Sequence, residues 1–316
     1  KVILPLTVIK RFNDTLLPTH DKVLAMNKQC EERNIQVKSG FLEKASGYKF
    51  YNTSVLTFEK LLNDPDNIEA NLRSYIASFS DNVIDILENF EFDKEITKLA
   101  NADYLYTVIQ EFCTEKAYMG ADKISSTDMG YIFEELIRKF SESYNEEAGA
   151  HFTARDIIYL MTDLLIEGDK DSLNQEVVTK TAYDMAMGTS QMLGCLTERI
   201  KQINEDAEVN CFGQELNPET FAIAKADMLI KGGNPDNMKK GDTLSNDQFS
   251  GYQFDYIISN PPFGIDWKVE KKAVEELRQL LISKEPEMES FSEVVQLIEK
   301  YKTDPTIQEK DLIGLR

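Results

Sequence analysis

The chain has 316 residues, 42% of them hydrophobic, and its 35 basic and 55 acidic side chains give a formal net charge of −20. A chain of this length can bury a sizeable core and is expected to form two domains. No apolar run approaches the roughly 20 residues that span a bilayer, and no signal peptide is recognisable. We therefore expect a cytoplasmic protein without membrane contact. Because the first residue is Lys1 rather than Met, we also expect the natural chain to begin further upstream.

The charge is unevenly distributed along the chain. Residues 1–50 hold 9 basic and 5 acidic side chains, net +4, whereas residues 51–250 hold 17 basic and 37 acidic ones, net −20. A protein that grips DNA by itself usually has a basic face, because phosphate contacts supply much of the affinity. If the substrate is a nucleic acid, a partner is expected to supply most of the binding affinity.

The composition argues against metal or disulfide chemistry. Only two histidines are present, His20 and His151, which disfavours a histidine-rich metal centre and Ser-His-Asp catalysis. The four cysteines have no paired spacing, so we predict buried thiols rather than a disulfide framework or a zinc site: Cys30, Cys113, Cys195 and Cys211. No metal site is predicted.

Residues 1–145 are predicted to form an all-α domain. Apolar residues recur at helical spacing, with the helices expected at about residues 2–34, 55–63, 66–90, 92–100, 102–117 and 126–143. Residues 38–54 are predicted to be a connection. A loop over residues 148–156 then leads into a further helix, for which Thr153 is the predicted N-cap and Asp156 completes a capping-box pattern.

From residue 175 the apolar pattern changes to strands alternating with helices. Strands are predicted at 177–183, 209–213 and 254–259, with a short extended piece near 238–244, and helices at 189–203 and 218–230. This alternation indicates a parallel, doubly wound sheet, so residues 146–316 form the second predicted domain of an α/β protein. Residues after about 268 are expected to be helical and charged, and we expect sequence to be missing near 275–285.

Polar side chains follow three of these strands. The loops are Asp184–Gln191, Gln214–Pro218 and Gly241–Leu244. An acidic residue at the end of the second strand, here Glu215, suits a ribose diol, as in dinucleotide-binding folds. Asp242 is predicted to accept a hydrogen bond from an adenine amino group.

The stretch from Phe254 to Gly264 carries the clearest chemical pattern. Its strand ends in two prolines, which cannot continue a sheet, and the first of them favours an extended backbone at Asn260. The Asn260 side-chain oxygen and the Pro261 carbonyl are two acceptors on a stiff turn, beside the aromatic ring of Phe263. This set fits a planar group with an exocyclic amine, such as an adenine that is unpaired or flipped out of a duplex.

From about Ser80 to Trp267 the chain resembles the modification (M) subunit of type I restriction–modification systems, a family of adenine-N6 DNA methyltransferases that depend on S-adenosyl-L-methionine (AdoMet). The resembling stretches are Gly130–Phe140, Ala148–Arg155, Gly213–Thr220, Gly241–Leu244 and Phe254–Gly264, with Asp266 and Trp267. The resemblance implies an N-terminal helical domain followed by a Rossmann-like methyltransferase domain.

The resemblance also implies the roles of individual residues. The catalytic loop would consist of Asn260, Pro261, Pro262 and Phe263. The AdoMet site would be formed by Ala150, His151, Phe152, Thr153, Arg155, Asp184, Gly188, Thr189, Ser190, Gln191, Glu215 and Asp242. Glu215 would take the ribose hydroxyls, and the loop that begins at Asp184 would approach the methionine part.

The chain departs from the family pattern in its first glycine-rich loop. Met185, Ser190 and Gln191 replace a proline and two glycines, and Ser190 carries a Cβ where the backbone is expected to approach the cofactor closely. Ala154 replaces a proline at the first helical turn, which is a mild change.

The family resemblance implies partners as well. Target sequence would be read by a specificity (S) subunit, with a restriction (R) subunit in the same system, and double-stranded DNA would be bound through the complex. Two other interpretations stay open at this point. One is a methyltransferase for another planar amine, such as a protein glutamine or an RNA base, and the other is a catalytically impaired scaffold with an AdoMet fold.

Overall fold

The computed structural model describes residues 2–143 and 153–262, together with the single positions 268, 271, 272 and 275. By its internal contacts the chain divides into two units. The first comprises Lys1–Ala148 and Pro218–Asp236, and the second comprises Gly149–Asn217 and Asn237–Arg316. The domain boundary predicted at residue 145 and most of the helical region predicted after residue 268 lie outside the described residues.

The first unit is helical, as its apolar spacing predicts. Its helices up to residue 143 are α1 (Ile3–Leu16), α2 (His20–Glu32), α3 (Ser39–Ser46), α4 (Phe58–Leu61), α5 (Ile68–Ala77), α6 (Asp81–Asn89), α7 (Phe92–Asn101), α8 (Leu105–Phe112) and α9 (Ser126–Ser143). The helix predicted over residues 2–34 is interrupted by a 3-10 turn, Leu17–Thr19, because Pro18 lacks the N–H that a continuous helix needs. The helix predicted over residues 66–90 is likewise two helices, α5 and α6.

Helix α1 forms the centre of this unit and is buried from Leu4 to Leu16. Its charged side chains are tolerated in the interior because each has a partner. The Lys10 ammonium lies 2.6 Å from Asp14 Oδ1, and the backbone N–H of Met119 donates to the other oxygen of Asp14 at 2.7 Å. The Arg11 guanidinium donates to the carbonyl of Ile124 at 2.9 Å. These bonds tie the segment between α8 and α9 to the first helix.

The connection predicted over residues 38–54 is wrong for its first half, which forms helix α3. The helix ends at Gly47, whose N–H donates back to the Glu43 carbonyl at 2.9 Å and whose φ of +79° turns the chain out of the helix. A left-handed glycine at this position is a common way for a helix to end, and the buried Leu42 anchors the helix to the core. Eight residues with a single buried leucine carry too weak a periodic pattern for detection from sequence.

Two glycines of this region allow a matched test of backbone conformation. We expect Gly47→Ala to lower the free energy of unfolding by about 1–2 kcal/mol, because a side chain disfavours the left-handed region. Gly40→Ala, inside α3 with open space around the added carbon, should raise that free energy by about 0.5–1 kcal/mol. Denaturant titrations of both variants check this pair, and a shift of the same sign in both would contradict it.

The second unit contains a parallel sheet, as the alternation of strands and helices predicts. Its strands are β1 (Thr179–Asp184), β2 (Glu208–Glu215), β3 (Met238–Lys240) and β4 (Tyr256–Ile257), and its helices up to residue 203 are α10 (Arg155–Ile166), α11 (Lys170–Leu173) and α12 (Gln191–Ile203). The strand order is β3-β2-β1-β4, with every neighbouring pair parallel. The carboxyl ends of all four strands therefore meet at one edge, where ligands of such sheets bind.

The two faces of the sheet bury different side chains. On one face Ala182 and Cys211 are buried, and the Cys211 thiol lies 3.3 Å from the Thr197 hydroxyl of α12. On the other face the rings of Tyr183 and Phe254 stack at 4.7 Å, within a cluster of five aromatic side chains that also includes Phe212, Phe249 and Tyr252. The four cysteines are free thiols, and all but the half-buried Cys113 are buried.

Helix α13 (Pro218–Ile230) follows β2 in the chain but belongs to the first unit. Ala222, Ile223, Ala226 and Leu229 join the apolar core of that unit, and Lys225 forms an ion pair with Asp85 of α6. A helix that is apolar on nearly all sides gives no sequence signal for which partner it packs against.

Candidate active site

The carboxyl edge of the sheet brings together the polar loops that sequence analysis selected. Asp184 is the last residue of β1, Glu215 is the last of β2, and Asn260 follows β4 by three residues. The loop after β3 joins them, because the Thr243 hydroxyl donates to the Met185 carbonyl at 2.6 Å. Four segments far apart in the chain thus converge on one site.

Asp184 lies at the centre of this edge and is 1% exposed. Its Oδ1 accepts hydrogen bonds from the Ser259 hydroxyl at 2.7 Å and from the Ala186 N–H at 3.0 Å. Its Oδ2 is buried and has no hydrogen-bond partner among the residues that the structure describes. Burial raises the pKa of Asp184 to about 6 and the nearby charge of Glu215 adds to the rise, while the bonds from Ser259 and Ala186 oppose it.

The loop after β1 has the backbone conformation of a glycine-rich loop even where it lacks glycine. Gly188 has a φ of +53° and Ser190 a φ of +67°, so Ser190 occupies a left-handed position that glycine would adopt at lower cost. The buried Ser190 immediately precedes α12, which explains why this helix begins at Gln191 rather than at the predicted residue 189. Thr189 and Gln191 are half-buried beside it, and Gln191 Nε2 is a buried atom without a partner in the described part of the chain.

Glu215 is half-buried and is oriented by two backbone donors. Its Oε2 accepts from the Gly188 N–H at 2.8 Å, and its Oε1 accepts from the Asn217 N–H at 2.8 Å. Each carboxylate oxygen can accept a second hydrogen bond, so acceptor capacity remains for a ligand. The bond to Gly188 also links the end of β2 to the loop after β1.

The Asp242 carboxylate accepts hydrogen bonds from residues of its own loop. Its Oδ1 accepts from the Leu244 N–H at 3.0 Å, and its Oδ2 accepts from the Ser245 hydroxyl at 2.6 Å. These are the bonds of an ordinary Asx turn. The assignment of Asp242 to an adenine amino group stays a prediction.

Asn260 is half-buried, and its side-chain nitrogen Nδ2 donates to Thr153 Oγ1 at 2.9 Å. The predicted capping role of Thr153 is wrong, because α10 begins at Arg155 and its N-cap is Ala154, without a side-chain cap. The hydroxyl of Thr153 serves the Asn-Pro-Pro loop instead. Arg155 is half-buried in the first turn of α10, and Pro261 and Pro262 are exposed.

Several residues assigned from sequence lie outside the described residues, and two others at the site were given no role. Ala150, His151, Phe152 and Phe263 belong to the first group, and their roles stay predictions. The stretches selected from sequence include Ser259 and Gln214 without a role for either. Gln214 is fully buried, and its amide donates to the Asn246 carbonyl at 2.8 Å and accepts from the Gln248 N–H at 3.0 Å. Neither residue type carries a local signal, since a serine or glutamine at a strand end is ordinary.

The described residues fit a polar, charged ligand of the chemical kind of AdoMet. Asp184 Oδ2 and Gln191 Nε2 are buried polar atoms without partners among the described residues, and such atoms are costly unless a ligand satisfies them. The left-handed loop and the Glu215 carboxylate lie at the same edge. No group of three or more His, Cys, Asp or Glu side chains suited to a metal ion occurs among the residues that the structure describes.

The function of Glu215 can be tested against a carboxylate on the same strand. We expect Glu215→Gln to weaken AdoMet binding by about 1–3 kcal/mol, because an amide nitrogen would face the Gly188 N–H and one acceptor would be lost. Glu208→Gln, at the exposed start of β2, should leave the affinity unchanged. Isothermal titration calorimetry measures both, and equal affinities in the two variants would place the ribose site elsewhere.

The fold and the arrangement of loops define a class of protein. A parallel sheet in the order 3-2-1-4, with polar loops after its first two strands and Asn-Pro-Pro after its fourth, is a Rossmann-like AdoMet-dependent methyltransferase fold. The sequence profile described as N-6 DNA Methylase matches residues 125–304, and that described as HsdM N-terminal domain matches residues 1–112. The chain belongs to the N-6 DNA methylase family, which confirms the resemblance stated from its motifs.

Individual relatives agree with this membership. The chain is 26% identical over 198 residues to the type I restriction enzyme MjaIX methylase subunit of Methanocaldococcus jannaschii, covering 60% of this chain and 33% of that protein. It is 28% identical over 152 residues to the HindI methylase subunit of Haemophilus influenzae, covering 47% of this chain and 31% of that protein. The chain thus spans about a third of the length of these relatives.

A solved structure supports the fold. The crystal structure of the type I restriction-modification system methyltransferase subunit from Streptococcus thermophilus superposes with a TM-score of 0.57 at 20% identity, covering 89% of this chain and 62% of that one. Within the part of the chain that the structure describes, no helix has the length and apolar content needed to cross a membrane.

Proposed function

We propose that this chain transfers a methyl group from AdoMet to N6 of adenine in DNA, as the modification subunit of a type I restriction–modification system. The observation that carries the proposal is the hydrogen bond between Ser259 and Asp184. It joins the residue before Asn260 to the end of β1, so the loop expected to hold the amine adjoins the loop expected to hold the methyl donor. Methyl transfer requires this adjacency, because donor and acceptor atoms must be held within reach of each other.

The chemistry of the Asn-Pro-Pro loop suits an exocyclic amine. The lone pair of an adenine amino nitrogen is delocalised into the ring, which makes the nitrogen a poor nucleophile. Two acceptors, Asn260 Oδ1 and the Pro261 carbonyl, would take both amino hydrogens and localise the lone pair on nitrogen. When bound, AdoMet supplies a methyl group on a positively charged sulfur. The base must be flipped out of the duplex to reach this loop, and Phe263 is proposed to stack on it.

A specificity subunit is proposed to read the target sequence, and a restriction subunit is proposed to belong to the same system. The net charge of −20 supports this division of labour, because non-specific binding to DNA depends almost entirely on phosphate electrostatics. Membership of the N-6 DNA methylase family does not favour the alternative substrates, protein glutamine or an RNA base.

The experiment that tests the proposal measures transfer of a labelled methyl group from AdoMet to duplex DNA, with and without a co-expressed specificity subunit. We expect sequence-selective labelling of adenine N6 only when the specificity subunit is present. A catalytically impaired scaffold would give no labelling in either case, and calorimetry with AdoMet would then report whether the cofactor site itself is lost. Labelling of protein or RNA instead of DNA would contradict the proposed substrate.

A further inference from the structure

Thr153 has a hydroxyl group that the local structure does not use. It precedes α10 by two residues, and that helix has no side-chain cap. The hydroxyl oxygen instead accepts a hydrogen bond from the side-chain nitrogen of Asn260, 107 residues further along the chain, at 2.9 Å. Both residues belong to the second unit. A contact over this separation is part of the tertiary structure of the site rather than of the helix start.

The two sides of an asparagine amide have nearly the same shape but opposite hydrogen-bonding character. The oxygen accepts, whereas the nitrogen carries two donor hydrogens. An amine to be methylated also presents donor hydrogens, so only the Oδ1 side of Asn260 can receive it. A rotation of the amide by 180° would place an NH2 group against the amine and remove the acceptor. Catalysis by Asn260 therefore needs a neighbour that fixes which side faces the substrate.

We propose that Thr153 is a positioning residue that binds the Asn260 amide nitrogen and thereby holds Oδ1 toward the amine to be methylated. The inference rests on the proposed function, because it concerns the same catalytic loop. Among the described residues Oδ1 of Asn260 has no hydrogen-bond donor, so it is left to accept from a substrate. The bond between Ser259 and Asp184 at 2.7 Å fixes the backbone just before Asn260, and Thr153 fixes the side chain.

The hydroxyl hydrogen of Thr153 links this orientation to the methyl donor. A hydroxyl can donate as well as accept, so Thr153 selects one amide orientation only when its own hydrogen is directed elsewhere. That hydrogen has no acceptor among the described residues. AdoMet carries acceptor oxygens on its carboxylate and ribose, and donation to one of them would leave the Thr153 oxygen able only to accept. Thr153 would then hold the catalytic amide in one orientation when the cofactor is bound.

The first test compares Thr153→Val, which keeps the shape and removes the hydroxyl, with Thr153→Ser, which keeps the hydroxyl. For the full chain with its specificity subunit, we expect Thr153→Val to lower kcat about tenfold, as expected for one lost hydrogen bond, with the KM for DNA within about threefold. Thr153→Ser should restore kcat to within about threefold of the wild type. A wild-type kcat in Thr153→Val would overturn the inference.

A second arm separates positioning from general support of the fold. In Asn260→Asp the carboxylate presents an acceptor on either side, so there is no amide orientation for Thr153 to select. We expect Thr153→Val to lower kcat less than about threefold in that background, against about tenfold in the wild type. An equal loss in both backgrounds would assign Thr153 a merely structural role.

A third arm does not depend on activity. Side-chain amide signals of the 15N-labelled chain can be followed by NMR, and that of Asn260 is assigned by its loss in Asn260→Asp. We expect AdoMet to slow solvent exchange of this amide in the wild type and in Thr153→Ser but not in Thr153→Val. Identical exchange in all three proteins would refute the inference. A wild-type chain that fails to methylate DNA would refute the proposed function instead, while this signal still reports the contact.

Discussion

Asn260→Ala is expected to reduce methyl transfer about 10²- to 10³-fold while the affinity for AdoMet stays within a few fold. The removed oxygen is assigned to the substrate amine and not to the cofactor, and loss of one such acceptor in a pre-organised site costs about 2.7–4 kcal/mol of transition-state stabilisation. The amide lies half-buried in the loop after β4 and is held by Thr153, so it is pre-organised in this sense. Single-turnover transfer of a labelled methyl group and calorimetry with AdoMet measure the two quantities separately.

Two further variants control for this experiment. Asn63→Ala, at an exposed position of the first unit, removes the same side chain away from the site and should leave the rate unchanged. Asn260→Asp retains acceptor oxygens and should keep more activity than Asn260→Ala. An Asn260→Ala protein that transfers methyl groups at the wild-type rate would remove the catalytic assignment, and one that no longer binds AdoMet would move Asn260 into the cofactor site.

Much of the second unit could be predicted from the sequence, because its strands and helices carry strong periodic patterns. The strand predicted at 177–183 is β1 at Thr179–Asp184, and the helix predicted at 189–203 is α12 at Gln191–Ile203. Helix α13 has the predicted bounds, 218–230, but it belongs to the first unit. Asp184 and Glu215 were selected because they end parallel strands, and both lie at the carboxyl edge. The strand order β3-β2-β1-β4 could not be predicted in the same way, because β4 pairs with β1 and not with β3, the strand before it in the chain.

The hydrogen bonds within the site could not be predicted, because they join residues without a local relation. The bond from Asn260 to Thr153 spans 107 residues and that from Ser259 to Asp184 spans 75. The error at Thr153 has the same origin: threonine before a helix matches a capping pattern, but the tertiary contact to Asn260 takes its oxygen. Ser190 is a further feature that could not be predicted from its residue type. It adopts the left-handed conformation that suits glycine, although it has a side chain.

Asp184→Asn is expected to change how the stability of the second unit depends on pH. Burial raises the pKa of Asp184 from 3.8 to about 6 in the folded chain, so the folded state holds a proton that the unfolded state has released. Protonation of Asp184 therefore stabilises the fold below the unfolded pKa, and this contribution is lost as pH rises through about 6. A shift of this size corresponds to about 3 kcal/mol over the whole range. Because Asn cannot ionise, the variant should gain stability relative to the wild type by on the order of 1–2 kcal/mol between pH 5 and pH 8.

Asp169→Asn is the control for this measurement, because the fold lowers the pKa of Asp169 whereas it raises that of Asp184. The hydrogen bond from Lys180, which lies 2.7 Å from Asp169, and then that from Tyr256 lower the pKa of this carboxyl, so its contribution is present at neutral pH and is lost only as pH falls through the lowered pKa. Its removal should therefore cost a similar amount of stability at pH 5 and at pH 8. Urea titrations of the wild type and both variants at pH 5 and pH 8 measure these differences in the free energy of unfolding. If Asp184→Asn differed from the wild type by the same free energy at both, Asp184 would be ionised in the folded chain throughout, and a donor among the surrounding groups would have to satisfy Oδ2.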